Sequence, residues 1–239
     1  MHDAAIRHNK YYGVLLHNTI SFIKGNYQAQ RTIHYLFGEM ISKEMKLSDK
    51  KRFLLGSILP DAIEPDFRNA SHFKIKTVTH KYFDFESFRN EYFSLILHDD
   101  LYLGYYMHLV EDAFYRAFFY TDCFTMPHTR EEVPILHQDY HILNSYIIQK
   151  YHIQNILGDT FSLENEPLCH IAPFAIDKFL SELANDFTEQ TKGTTVFLTE
   201  SMLDEYVKTY IPLAIEEVNS IKNGGSSLNA LNYAWPAKR

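Results

Sequence analysis

Apolar side chains recur at intervals of three or four residues along most of the chain, the spacing of one face of an α-helix. The clearest stripe runs from Met202 to Ile221; Thr199 or Ser201 can cap its start, and Gly224 can end it. Similar stripes predict helices over residues 32–45, 86–97, 101–119, 135–151 and 171–187, the last with Pro173 in its first turn, and a shorter helix that Ser48 would cap. The pattern therefore predicts an all-α fold of six to eight helices.

Several segments lack this helical pattern. Two prolines predict a loop over residues 59–69, and the β-branched and aromatic residues 74–85 allow a short strand, an extended loop or a poor helix. Residues 1–30 have no clean period, so we expect a loose N-terminal extension. The helices of residues 31–225 then form a single domain, followed by an irregular tail over residues 226–239.

Composition excludes several classes of protein. Apolar residues make up 46% of the 239 residues, enough for a large core, while nine glycines and eight prolines are too few for a turn-rich sandwich. A net charge of −7 gives no basic surface for duplex nucleic acid, and no run of 18 apolar residues could cross a membrane. Two cysteines make no disulfide framework and we find no signal peptide, so we expect a cytoplasmic protein.

The strongest chemical signal is the pair His108 and Asp112 within one predicted helix. Four residues of helix advance about 6 Å and return to the same face, so the imidazole and the carboxylate can reach one ion. Gly104, one turn earlier, leaves room for backbone or substrate to approach. A divalent cation would satisfy both buried side chains; the alternative is a His–Asp hydrogen bond that stabilises the core.

Other histidines and carboxylates follow the same logic. His137 and His141 form a second pair one turn apart, which either chelates a metal or is solvated, and His128 in the preceding loop could join it. Asp61 follows a proline on a sharp turn. The set with the best ligand types supplies three imidazoles and two carboxylates, a mixture that suits zinc and is also accepted by manganese and iron. Its members are His34, Asp61, His72, His108 and Asp112, with His80 competing with His72.

The order of these motifs resembles the bacterial zinc-dependent phospholipase C family, which is related to the zinc-dependent single-strand nucleases. The resemblance covers residues 31–150 and rests on short motifs: His34-Tyr-Leu-Phe, Pro-Asp61, Ser71-His72-Phe73, His108-x-x-x-Asp112 and His137-x-x-x-His141. It implies an all-α fold with a three-zinc cluster that hydrolyses a small phosphodiester or a phospholipid head group.

The resemblance also implies roles for individual residues. Asp61, His72, His108 and Asp112 would hold the first zinc, with Asp61 doubling as general base. Asp112 would bridge to a second zinc held by His34, and His137 with His141 would hold another, where the family has a glutamate instead of His141. Two of the family's ligands are missing: the N-terminal tryptophan, and the histidine six residues after Asp112, where this chain has Phe118. The number of bound metal ions is therefore open between one and three.

Two other functions fit the sequence. An HD-type metal-dependent phosphohydrolase, also all-α, would use His98 and Asp99 as its central ligand pair, with His34 or His72 before them. That pair falls at a helix end beside Asp100, where a solvated cap is the more ordinary role. A non-catalytic helical protein would retain a metal for structure, or none.

Overall fold

Helix α5, Asp100–Ala117, lies at the centre of the fold, and all but three of its 18 residues are buried. The computed structural model describes residues 30–122, 126–127, 129, 131–158 and 160–237, so the extension expected over residues 1–30 lies, apart from Gln30, outside the described residues. The other helices are α1 (Arg31–Glu44), α2 (Lys50–Ile58), α3 (Arg68–Ser71), α4 (Phe85–His98), α6 (Val133–Tyr151), α7 (Ile176–Thr188) and α8 (Glu200–Lys222). The described chain is therefore mostly helical, as predicted. None of its helices has the length and apolarity needed to cross a bilayer.

Two glycines bring α2 and α5 into backbone contact. A Cβ atom on Gly56 would lie 2.1 Å from the carbonyl oxygen of Leu101, and one on Gly104 would lie 2.2 Å from that of Phe53. Any side chain at either position would clash with backbone, which cannot move aside as a flexible side chain can. The expectation that Gly104 lets backbone approach is confirmed.

A small antiparallel sheet joins two segments for which the sequence pattern predicted no clear helix, one within residues 74–85 and one in the C-terminal tail. Strands β1 (Lys74–Lys76) and β2 (His80–Phe83) form a hairpin, and β3 (Trp235–Pro236) pairs with β2. The expectation of an irregular tail was wrong over Ala230–Pro236, because the Trp235 ring packs 5.2 Å from that of Phe83 and brings the chain end into the sheet. This contact joins residues distant in sequence, so no local pattern predicts it.

Three predicted boundaries also needed correction. The side chain of Asp49, and not Ser48, caps α2 by accepting from the Arg52 amide at 3.1 Å. The expected loop over 59–69 is instead folded into two 3-10 turns and the start of α3. Helix α7 begins at Ile176, so Pro173 lies outside it, because the Ala175 amide donates to the Ala62 carbonyl and holds this stretch extended.

Helix α8 keeps its predicted ends. The Thr199 hydroxyl accepts from the Met202 amide at the start, and Gly224 follows the end with a φ of +84°. Pro212 lies inside α8, a feature that the stripe of apolar residues did not reveal.

Candidate metal centre

Five side chains from four segments meet in the interior. His34 lies on the buried face of α1, Asp61 on the turn after α2, His72 directly after α3, and His108 with Asp112 on α5. The side chains of His34, His72, His108 and Asp112 have no exposed surface, and that of Asp61 is 9% exposed. The structure therefore brings together all five residues of the set with the best ligand types.

Local structure explains how two of these side chains reach the centre. Pro60 lies in the 3-10 turn that follows α2, and Asp61 is the last residue of this turn. The Ser71 hydroxyl donates to the Pro60 carbonyl at 2.8 Å and ties α3 to the turn. Phe73, directly after His72, has a φ of 48°, a left-handed conformation that costs free energy for a residue with a side chain. This bend redirects the chain from α3 into β1.

The distances at the centre match neighbouring ligands of one ion. His72 Nε2 lies 3.3 Å from Asp61 Oδ1 and 3.5 Å from Asp112 Oδ2. His108 Nε2 lies 3.2 Å from His72 Nε2 and 3.7 Å from Asp112 Oδ2. His34 Nε2 lies 3.7 Å from Asp61 Oδ2 and 3.6 Å from Asp112 Oδ1. Two ligands about 2.0–2.1 Å from a tetrahedral zinc lie about 3.3–3.4 Å apart, so a bound ion requires only small adjustments.

The second nitrogen of each imidazole has a partner outside the centre. His108 Nδ1 lies 2.8 Å from the Ser57 carbonyl, His72 Nδ1 lies 2.9 Å from the Arg68 carbonyl, and His34 Nδ1 is hydrogen-bonded to the Glu111 carboxylate. Because these partners accept, the proton of each neutral imidazole lies on Nδ1, which leaves the Nε2 lone pair facing the centre. His34 Nε2 is buried and has no hydrogen-bond partner among the described residues.

Electrostatics favour positive charge at this centre. Burial alone would lower the pKa of His34, but Glu111, Asp112 and Asp61 outweigh it and raise that pKa to about 9. Burial raises the pKa of Asp112 and lowers that of His108. Burial would also raise the pKa of Asp61, but the hydrogen bond with His72 and the charges of His108 and Arg68 hold it well below its usual range. The carboxylates attract either a proton on His34 or a metal ion.

A cavity of about 350 Å³ opens beside Asp61. His137 and His141 line it from α6, together with Arg68, whose Nη2 lies 4.0 Å from Asp61 Oδ1. The cavity therefore opens the Asp61 side of the centre to small molecules.

Not all predicted ligands join the centre. Among the described residues, the groups of ligand atoms close enough to hold an ion contain only His34, Asp61, His72, His108 and Asp112. His137 and His141 are instead exposed and line the cavity wall from α6, outside these groups.

Two further histidines have different outcomes. His80 is not a ligand here, because β2 places it beside Tyr82 and its Nδ1 lies 2.9 Å from the Thr79 hydroxyl. Of that pair, His72 is therefore the candidate ligand. His128 lies outside the described residues.

Glu111 is a further residue of the site that the sequence spacing did not predict, although it lies between His108 and Asp112 in a predicted core helix. Its side chain is 3% exposed, and its oxygens contact His34 and the Tyr206 hydroxyl. It orients a ligand and does not itself face the centre.

The pair proposed for an HD-type site lies elsewhere. His98 ends α4 with Nδ1 bonded to the carbonyl of Ser94, one turn earlier. Asp99 caps α5 by accepting from the Leu101 amide, and it pairs with Arg52 at 2.8 Å. These two residues form a helix junction, as their sequence position indicated.

Comparison with known proteins gives no match to a family model, a curated protein or a solved structure. The resemblance to the zinc-dependent phospholipases C therefore stays a prediction, and the geometry of the centre carries the functional argument.

Proposed function

We propose that the protein is a metal-dependent hydrolase of phosphoester or phosphodiester bonds. One observation carries the proposal: three imidazole nitrogens and two carboxylates converge in a buried centre with the spacing of metal ligands. Burying so many acceptors without a cation is costly, since each has lost its hydration. Zinc suits this mixture of nitrogen and oxygen ligands, and manganese or iron are alternatives.

The two carboxylates are placed to serve more than one ion. Asp61 and Asp112 each direct one oxygen toward His34 and the other toward His72. A single ion would use a subset of these oxygens, whereas two ions would share both carboxylates. The metal-to-protein ratio distinguishes these cases.

The chain's own residues supply substrate binding and proton transfer. Arg68 lines the cavity beside Asp61, so its guanidinium would hold a phosphoryl oxygen and orient the bond to be cleaved. Asp61 is the one ligand that reaches the cavity, and its carboxylate would accept the proton of the attacking water. A bound metal ion supplies Lewis-acid chemistry, because it stabilises negative charge on phosphoryl oxygens and makes water more acidic.

The substrate class and the location of the protein follow from the sequence. A small phosphodiester or a phospholipid head group fits the resemblance, and a cytoplasmic location fits the cysteine content. Both stay predictions from the sequence.

The test compares His108→Ala with His98→Ala. The first change removes a buried imidazole from the centre, while the second removes one at the exposed end of α4. We expect His108→Ala to lose most of its bound zinc and at least about 100-fold of its hydrolysis of bis(p-nitrophenyl) phosphate, and His98→Ala to keep both. Metal analysis, the chromogenic assay and circular dichroism make the comparison.

Two outcomes would contradict the proposal. If metal analysis finds less than about one metal ion per chain in wild-type protein, the centre does not hold a metal cofactor. Protein that binds metal but cleaves no phosphodiester, phospholipid or single-stranded nucleic acid would instead be a non-catalytic metal-binding protein.

A further inference from the structure

Two basic residues follow metal-centre residues closely in the sequence. Lys74 comes two residues after His72, at the start of β1, and Arg116 comes one helical turn after Asp112 on α5. They do not line the cavity beside Asp61. The chain has a net charge of −7, so two cations this close in sequence to candidate metal ligands are unusual. The proposed metal ligation gives them no role.

The Trp235 ring holds both cations. The Lys74 ammonium lies 5.7 Å from the Trp235 ring centroid and 5.6 Å from that of Phe83. The Arg116 guanidinium lies 4.3 Å from the Trp235 ring and 4.8 Å from that of Tyr120. For Lys74, contacts with aromatic faces orient the ammonium without using its hydrogen-bond donors.

The Lys74 ammonium keeps its donors for another group. Lys74 makes neither a hydrogen bond nor an ion pair with any residue in the described part of the chain. Among the described residues, Arg116, Lys81 and Arg68 repel its charge, and Asp112 attracts it. Several cations brought together at a partly buried place repel one another, and a bound anion relieves that repulsion.

The backbone before Lys74 is strained. Phe73 has a φ of 48°, and it separates His72 from Lys74. This bend directs His72 to the metal centre while Lys74 lies against Phe83 and Trp235. Strain of this kind persists where the surrounding structure requires it, and functional sites are its usual location.

We propose that Lys74 and Arg116, held against Trp235, form an anion subsite beside the metal centre that binds a phosphate group of the substrate. The inference rests on the proposed function and adds the substrate class: a small molecule with an accessible anionic phosphate, in preference to one with a cationic head group. Arg116 is only 8% exposed, so a group must enter the site to reach it, and the flat surface of a bilayer would not.

Inorganic phosphate is the probe, and isothermal titration of the zinc-loaded protein is the measurement. Lys74→Gln should raise the dissociation constant for phosphate about tenfold or more, the usual effect of removing a charged hydrogen-bond donor. Lys74→Arg should restore affinity to within about threefold, since it keeps the charge. Lys76→Gln is the matched control, because Lys76 is an exposed lysine of the same strand.

Each result has a defined meaning. Equal phosphate affinity in wild type and Lys74→Gln would overturn the subsite and leave Lys74 as a charge that balances Asp112. Equal losses in Lys74→Gln and Lys76→Gln would overturn it too, since they would reflect net charge alone. Failure of wild type to bind phosphate would also overturn it. Zinc content and phosphodiester hydrolysis of the same samples report separately on the proposed function.

Discussion

Glu111 lies buried beside His34, and its carboxylate accepts a hydrogen bond from the Nδ1–H of that imidazole. The Tyr206 hydroxyl lies 3.4 Å from the other carboxylate oxygen, so α8 helps to hold Glu111 in place. This arrangement directs His34 Nε2 to the centre and makes the imidazole a stronger ligand. Carboxylate–histidine pairs of this kind are common around metal ions in proteins.

We predict that Glu111→Gln weakens zinc binding about tenfold or more, because the amide keeps the size of the side chain but loses the charge that supports His34. Competition with a chromophoric chelator measures the affinity. Glu217→Gln is the control: Glu217 is also fully buried on α8, but it is bonded to Tyr106, Ser226 and Ser227. Equal affinity of the two variants would show that Glu111 does not support the ligand.

At the residue scale, sequence spacing predicted candidate ligands but not the residues that orient them. His108 and Asp112 share a face of one helix, so their convergence follows from helical geometry alone. Glu111 points to a neighbouring face, and only the burial of nearly all of α5 makes that face an interior one. His72 and His80 could not be separated by sequence, because the choice depends on the bend at Phe73 and the hairpin after it.

At the element scale, the contact between α2 and α5 positions the centre. The Ser57 carbonyl, near the end of α2, lies 2.8 Å from His108 Nδ1 and fixes the ring. This contact exists because Gly56 and Gly104 allow the two backbones to touch. A change in the separation of these helices would therefore move a candidate ligand.

We predict that Gly104→Ala destabilises the protein by about 2–3 kcal/mol or more, because the new methyl group would meet backbone atoms of α2. Zinc affinity should fall as well, since α2 would move away from His108. Gly158→Ala is the control, as no atom lies within 4 Å of the added Cβ, and its effect should stay within about 0.5 kcal/mol. Urea unfolding measures both, and equal midpoints would refute the close contact.

Helix interiors were predictable because burial on one face imposes a period on the sequence. Helix ends and strands were not, because partners from distant segments decide them. Pro173 is acceptable in a first turn by local rules, yet the Ala62–Ala175 hydrogen bond delays α7 by several residues. Trp235 likewise belongs to a strand because β3 pairs with β2 and its ring packs against the distant residues Phe83 and Arg116.

At the scale of the whole molecule, the centre connects segments that lie far apart in the chain. Its residues run from His34 on α1 to Asp112 on α5, with Asp61 and His72 between them. Periodicity cannot predict such convergence; the combination of ligand types suggested it, and the order of motifs then added the family resemblance. An ion held by these residues would cross-link the packing of α1, α3 and α5, so metal binding and folding should be coupled.

The proton on His34 gives this coupling a pH dependence. The pKa of His34 is raised from 6.5 to about 9, so its protonated form stabilises the metal-free fold fully below pH 6.5. That stabilisation is lost as the pH rises toward 9. A metal ion needs the deprotonated Nε2, so its affinity should increase over the same range. Both effects make the metal contribute more to stability as the pH rises.

We therefore predict that zinc raises the melting temperature, and does so more at pH 8 than at pH 6.5. A ligand that binds only the folded state at 100 times its dissociation constant stabilises by about 2.7 kcal/mol, or about 5–10 °C for a chain of this size. Differential scanning calorimetry with zinc and with a chelator measures the shift. His98→Ala should keep it and His108→Ala should lose most of it. An equal shift in both variants would place zinc elsewhere, and a shift that shrinks with rising pH would contradict competition with the His34 proton.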